Sequence, residues 1–124
     1  MRIAIVAFAA GMIVAPSLVA AQSLSNEAEI RSVFSGNTVA GEEDGVPYVE
    51  YFTPDGRILG ENREGRYKGH WRIFNSRMCL AYDEDEGKKG WECSQVGIKG
   101  ARISWTDDGE TTYSTIAPGN PNGL

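Results

Sequence analysis

The chain has a single histidine, His70, and only two cysteines, Cys79 and Cys93. Both scarcities exclude chemistry. A zinc site draws three or four ligands from Cys, His and carboxylates, and one imidazole does not begin such a set. A thiol–disulfide oxidoreductase wants its cysteines as Cys-x-x-Cys, and these two are far wider apart. Basic residues are outnumbered: 12 Lys and Arg against 17 Asp and Glu leave a net charge of −5. Nucleic acid, whose phosphates call for a basic face, is therefore not an expected partner. Neither is an anionic membrane surface. Long apolar runs are also scarce. The one candidate, Ile3 to Val14, is about 12 residues, short of the roughly 20 that a spanning helix needs.

That run has another explanation. Met1-Arg2 supplies a positive charge, the apolar stretch follows, Pro16 and Ser17 break it, and Val19-Ala20-Ala21 offers small residues at a cleavage site. Residues 1–21 are expected to be a cleavable signal peptide. Residues 22–124 are then one small exported domain, periplasmic or secreted. Position 22 is Gln rather than Cys, so no lipoprotein anchor is expected and the product should be soluble.

Export places Cys79 and Cys93 in an oxidising compartment, where a pair usually bonds. Closing a loop of about 15 residues stabilises by about 3 kcal/mol in the chain-entropy model. The pair therefore reads as a structural disulfide.

Helical periodicity occurs once. Ser25 or Asn26 can cap a helix over about 25–35, and Glu27 and Glu29 suit its positive end. Ile30, Val33 and Phe34 form one apolar stripe, and Gly36 stops the helix. Too short to stand alone, it should plug an end or edge of a sheet.

From 37 to 116 the pattern is short runs rich in Val, Ile, Tyr, Trp and Thr. Turns such as Glu42-Glu43-Asp44-Gly45, Pro54-Asp55-Gly56 and Asp107-Asp108-Gly109 separate them every 8–12 residues or so. The fold class is all-β with one short N-terminal helix. The meander is antiparallel and closes into a small up-and-down barrel or a strongly curved sheet. Alternation puts Trp71, Ile73, Met78, Leu80, Tyr82, Ile103 and Trp105 in the core and the cysteines on the opposite face. The tail over 117–124 reads as a surface loop.

Several of these residues together resemble a known group. Ser35-Gly36-Asn37-Thr38-Val39, Tyr51 with Pro54-Asp55-Gly56, and Gly69-x-Trp71 are joined by the Cys79/Trp91/Cys93 set and Gly119-Asn120-Pro121. The chain resembles a family of small exported proteobacterial proteins of unknown function, along nearly all of its length after the signal. The resemblance implies a periplasmic setting and supplies no catalytic residue. In outline the domain is also similar to small calycin-type barrels and compact secreted enzyme inhibitors, a likeness of architecture only.

The remaining candidates are weak one by one. Asp83-Glu84-Asp85-Glu86-Gly87 has the acidic density of a calcium loop. Its glycine falls at the wrong position, and Ser94 stands where a bidentate ligand should be. It reads better as a solvated hairpin loop partly neutralised by Lys88 and Lys89, so neither a metal nor a cofactor is expected. His70 should lie on an outer or edge position. Glu50, mid-strand between Val49 and Tyr51, should face solvent or pair with an arginine, the alternative being an inward polar group in a pocket. Aromatics exceed what one sheet face needs, and those with polar tips suit ligand or protein contacts.

The expected function is accordingly a non-enzymatic periplasmic binding module, with Tyr51, Trp71 and Trp91 as candidate contacts. The alternative is an inhibitor or accessory subunit of an exported enzyme, engaging its target through Asp83, Asp85 and Glu86. The partner is a small ligand or an exported protein.

Overall fold

The computed structural model describes residues 21–85 and 90–124. The strands are β1 (Gln22–Ser23), β2 (Asn37–Glu43), β3 (Val46–Phe52), β4 (Arg57–Asn62) and β5 (Gly65–Phe74), then β6 (Arg77–Tyr82), β7 (Glu92–Lys99), β8 (Arg102–Asp107) and β9 (Glu110–Pro118). One helix, α1 (Glu27–Phe34), lies between β1 and β2. Strands β2 to β9 pair antiparallel in chain order, and β2 also pairs with β9 from Asn37↔Pro118 to Ala40↔Thr115. The sheet is thus an eight-stranded closed barrel, the closed alternative of the two the sequence allows. Closure removes the open edges that an eight-stranded sheet would otherwise present.

The two-residue β1 has no counterpart in the sequence reading. It lies along β7 through Gln22↔Ile98 and Ser23↔Gly97. Leu24 extends the contact by donating its N–H to the Val96 carbonyl at 3.0 Å. Two residues carry no periodicity, so nothing local could announce this strand.

Helix α1 closes one end of the barrel. Asn26 is its N-cap and accepts from the Glu29 N–H at 2.9 Å. Glu29 reaches back to the Ser25 N–H, also at 2.9 Å, giving the reciprocal bonding of a capping box one residue early. Gly36 ends the element at φ 76°, a left-handed conformation that glycine adopts without strain, and donates to the Phe52 carbonyl at 2.7 Å. Ile30 and Phe34 are fully buried. Phe34 meets the Phe52 ring at 5.6 Å and the Trp105 ring at 5.3 Å.

Around that plug the core comprises Val39, Phe52, Ile58, Trp71, Met78, Val96 and Ile103, with Ile73, Leu80, Tyr82 and Trp105 packed on it. Of the seven core residues expected from alternation, Trp71, Met78 and Ile103 are buried in this cluster, and Ile73, Leu80, Tyr82 and Trp105 are partly buried against it. Cys79 and Cys93 face each other across β6 and β7, bonded, with Cα atoms 4.0 Å apart. The tail is tied down: Thr38 Oγ1 donates to the Gly119 carbonyl at 2.7 Å, and Gly119 N–H donates to Asn37 Oδ1 at 3.1 Å.

An up-and-down barrel sends successive turns to alternate ends, and this sorts the charge. The links β3–β4, β5–β6 and β7–β8 lie at the helix-plugged end. The links β2–β3, β4–β5, β6–β7 and β8–β9 lie at the other. The acidic runs Glu42-Glu43-Asp44, Asp83-Glu84-Asp85 and Asp107-Asp108 all fall at that second end, with Arg63 and Arg66, while Arg57, Arg77, Lys99 and Arg102 start or finish strands at the plugged one, with Asp55.

Candidate functional site

The acidic end is open. A cavity of about 310 Å³ enters the barrel there, lined by Tyr48, Glu50, Tyr67 and Tyr82 among others. Glu50 lies inside. It shares the inward face of β3 with Tyr48 and Phe52, and only 5% of it is exposed. The expectation that Glu50 faces solvent or pairs with an arginine is corrected. Phe52, two residues on, must point into the core, so the period of two turns Glu50 inward as well.

Three cross-strand pairs make room for it. Gly41 is in register with Tyr48, Gly60 with Tyr67, and Gly69 with Tyr82. Each glycine is inward-facing; at Gly41 and Gly60 the partner tyrosine's side chain occupies the space a Cβ would take, and at Gly69 the Ala81 carbonyl oxygen, 2.6 Å away, is nearer than the Tyr82 ring. A Cβ at Gly41 would lie 2.8 Å from the Tyr48 hydroxyl, one at Gly69 would lie 3.1 Å from the Tyr82 ring, and one at Gly60 would overlap the Tyr67 ring. The Tyr67 and Tyr82 rings meet edge to face at 5.9 Å. Their hydroxyls converge on Glu50. Tyr67 donates to Oε1 at 2.8 Å, and Tyr82 donates to Oε1 at 2.9 Å and Oε2 at 3.1 Å.

Gly60→Ala should therefore do more than add a methyl. The Tyr67 ring must leave its place, which breaks its bond to Glu50. A loss of about 1–3 kcal/mol is expected, as for overpacking elsewhere. Urea denaturation measures it, and an unchanged midpoint would mean that the ring is not seated on the glycine.

The electrostatics follow from burial. Desolvation pushes the Glu50 carboxyl above its ordinary value, and the two phenol hydrogen bonds, which favour the carboxylate, only partly offset it. Burial and the nearby Glu50 charge push the phenols up in turn: Tyr48 to about 12, Tyr67 and Tyr82 well above the ordinary phenol value. All three hydroxyls therefore keep their protons at neutral pH, and those of Tyr67 and Tyr82 are held as donors to Glu50.

A raised carboxyl sets the sign of a pH effect. Unfolded Glu50 ionises first as pH rises, so its contribution to stability is complete below the ordinary value and is lost through the folded one. Compared with Glu50→Gln, the wild-type protein should lose relative stability as pH climbs above the ordinary carboxyl value of 4.5. Paired urea titrations across that value check this. A difference independent of pH, or one running the other way, would show that burial does not raise the Glu50 carboxyl.

The residues singled out in the sequence are dispersed. Trp71 is 4% exposed, packs on Phe52 at 6.1 Å and donates its indole N–H to the Thr53 carbonyl at 2.9 Å, so it belongs to the core. Tyr51 alternates with Glu50 and so points outward on β3. Trp91 lines a depression on the outer wall with His70, Asp83 and Asp85. There His70 Nδ1 lies 3.2 Å from Asp83 Oδ1, both side chains about half exposed. Arg72 stacks over the Trp91 ring at 4.2 Å. Asp83–Asp85 is a short 3-10 turn with no buried residue. Glu86, with Gly87, Lys88 and Lys89, lies outside the described residues, as do Met1 to Ala20 of the expected signal. Among the described residues, no group of three His, Cys, Asp or Glu could hold a metal ion, and no helix is long and apolar enough to cross a membrane. The tyrosines of the mouth were missed as a site. The available signal was glycine at inward positions opposite tyrosine on successive hairpins.

Comparison with protein-family models, with curated proteins and with solved structures gave no match.

Proposed function

We propose that the protein is a non-enzymatic binding module that takes a small ligand into the acidic mouth of its barrel, in an exported, oxidising setting. The carrying observation is Glu50: a buried carboxyl at a cavity, held by two phenols, on rigid strands. Burying a carboxyl in place of an apolar side chain costs stability. Local choices that weaken a fold are characteristic of functional sites. A volume of about 310 Å³ is at the small end of the range for ligand pockets. The disulfide supports the exported setting, since such bonds persist where thiols are not kept reduced.

The test is a screen of the disulfide-bonded protein by amide and tyrosine-ring NMR against small amines, neutral sugars and carboxylic acids. The reading expects one chemical class to shift the resonances of Glu50, Tyr67 and Tyr82 saturably. Silence at the mouth across all classes would overturn it. The outer wall around Trp91 and Asp83, the surface an inhibitor would use, would then be the next place to look.

A further inference from the structure

Granting that the mouth is the ligand site, we propose that its ligand is a compact organic cation, a primary or alkylated ammonium on a small apolar body. Three independent features of the mouth point to this class.

The first is the carboxylate. Glu50 is more than nine-tenths buried and lines the cavity, yet its hydrogen-bond donors are two neutral phenols. Among the described residues, seven of the twelve that line the cavity are acidic and none is Lys, Arg or His; Lys88 and Lys89, on the β6–β7 link, lie outside the described residues. An anionic ligand would have to be desolvated against these charges, whereas a cation supplies the missing countercharge.

The second is the wall. An ammonium gains from contact with aromatic rings, and alkylated ammonium groups are bound by cages of them. Tyr48, Tyr67 and Tyr82 line this cavity, and two of the rings stand at 63° to one another, forming a corner rather than a flat plate. Their hydroxyls are committed to Glu50 in the cases of Tyr67 and Tyr82, so the rings add apolar surface without adding free donors that an anion or a sugar would need.

The third is the long-range field. The topology gathers Glu43, Asp44, Glu64, Glu84, Asp85 and Glu92 around the opening and leaves Arg57, Arg77, Lys99 and Arg102 at the plugged end; of the arginines at the open end, Arg66 is paired with Glu61 at 3.6 Å, and neither it nor Arg63 lines the cavity. A cleft lined by one sign of charge concentrates the opposite sign and speeds its arrival. A hard metal cation fits worse than an organic one. Calcium asks for six to eight oxygen ligands, and no metal-holding cluster exists among the described residues.

Three probes with one body separate charge from shape: tert-butylammonium, tert-butanol and pivalate. Each is titrated into the disulfide-bonded protein at about 0.15 M salt, where exposed charges are already screened, with mouth resonances and calorimetry as readouts. The expected result is saturable binding of the cation at Glu50, Tyr67 and Tyr82, with tert-butanol and pivalate at least about ten-fold weaker. Glu50→Gln should lose a similar factor, while Asp55→Asn, at the plugged end, should change nothing. The wild-type comparison of probes stands even if Glu50→Gln folds poorly. Equal binding of ammonium and alcohol at the mouth would overturn the cation class and leave the mouth as a ligand site. Calcium shifting the mouth while ammonium does not would overturn it in favour of a metal. Ammonium binding that Glu50→Gln leaves intact would overturn it as mere attraction to the rim. No response at the mouth to any probe would overturn both this inference and the reading beneath it.

Discussion

Phe34→Ala is expected to lower the free energy of unfolding by about 3–5 kcal/mol, the range for deleting a buried phenylalanine. Phe34 is fully buried and meets rings from opposite sides of the barrel, Phe52 on β3 and Trp105 on β8. Its helix is eight residues long, too short to persist without docking. Ile30 and Phe34 are the two helix residues that are buried, so removing the larger both opens a cavity and loosens the plug. Against a total of roughly 5–15 kcal/mol for a domain, the loss is severe. Urea unfolding followed by tryptophan fluorescence measures it, since Trp105 borders the cavity. A loss below about 1 kcal/mol, the scale of an ordinary substitution, would show that the helix does not close the barrel. The mouth lies at the other end, so the folded fraction of the variant should keep its ligand response.

Breaking the disulfide should cost about 3 kcal/mol, from the entropy the open chain regains over a loop of about 15 residues. The bond joins residues already in register on β6 and β7, so the native strands need not move to accommodate its loss. The strand contacts that remain are short: β6 meets β7 only at Met78↔Ser94, Cys79↔Cys93 and Leu80↔Glu92 before β1 takes over the same edge of β7. Reduction should therefore lower the urea midpoint sharply while leaving the far side of the barrel, β2 to β4, as the last part to exchange its amides. Cys79→Ala with Cys93→Ala should match the reduced protein and lose somewhat more, because Cys79 is fully buried. A midpoint insensitive to reduction would mean that strand pairing alone holds this seam.

The barrel was legible because its determinants are local. Turn chemistry spaced about every ten residues dictates hairpins, and alternation in Trp71-Arg72-Ile73 and Ile103-Ser104-Trp105 assigns faces. The pairing of β2 with β9 is different: it joins residues far apart in sequence, and alternation alone left an open curved sheet as the alternative. The site was only half legible for a related reason, the inward Glu50 standing as the alternative to one facing solvent. Glu50 looks like any strand carboxylate until its neighbours across the sheet are known, and a charged residue mid-strand usually faces water. Gly41, Gly60 and Gly69 carry no side chain to mark a site, whereas in register each lies opposite a tyrosine. Trp71 drew notice as a large aromatic with a polar tip, but its indole N–H is answered by Thr53 inside the core. Residue type marked the aromatics; only register distinguishes those that fill the plugged end from those that line the open one.

The enclosed carboxyl is tested by titrating the Glu50 side chain, followed by its carbon NMR resonance in the wild-type protein and in Tyr82→Phe. The midpoint should lie above the ordinary carboxyl value of 4.5 and rise further in Tyr82→Phe, which removes a donor that favours the ionised form. A midpoint at or below 4.5, indifferent to Tyr82, would mean that Glu50 is solvated and that the mouth holds no enclosed carboxyl for a ligand to meet.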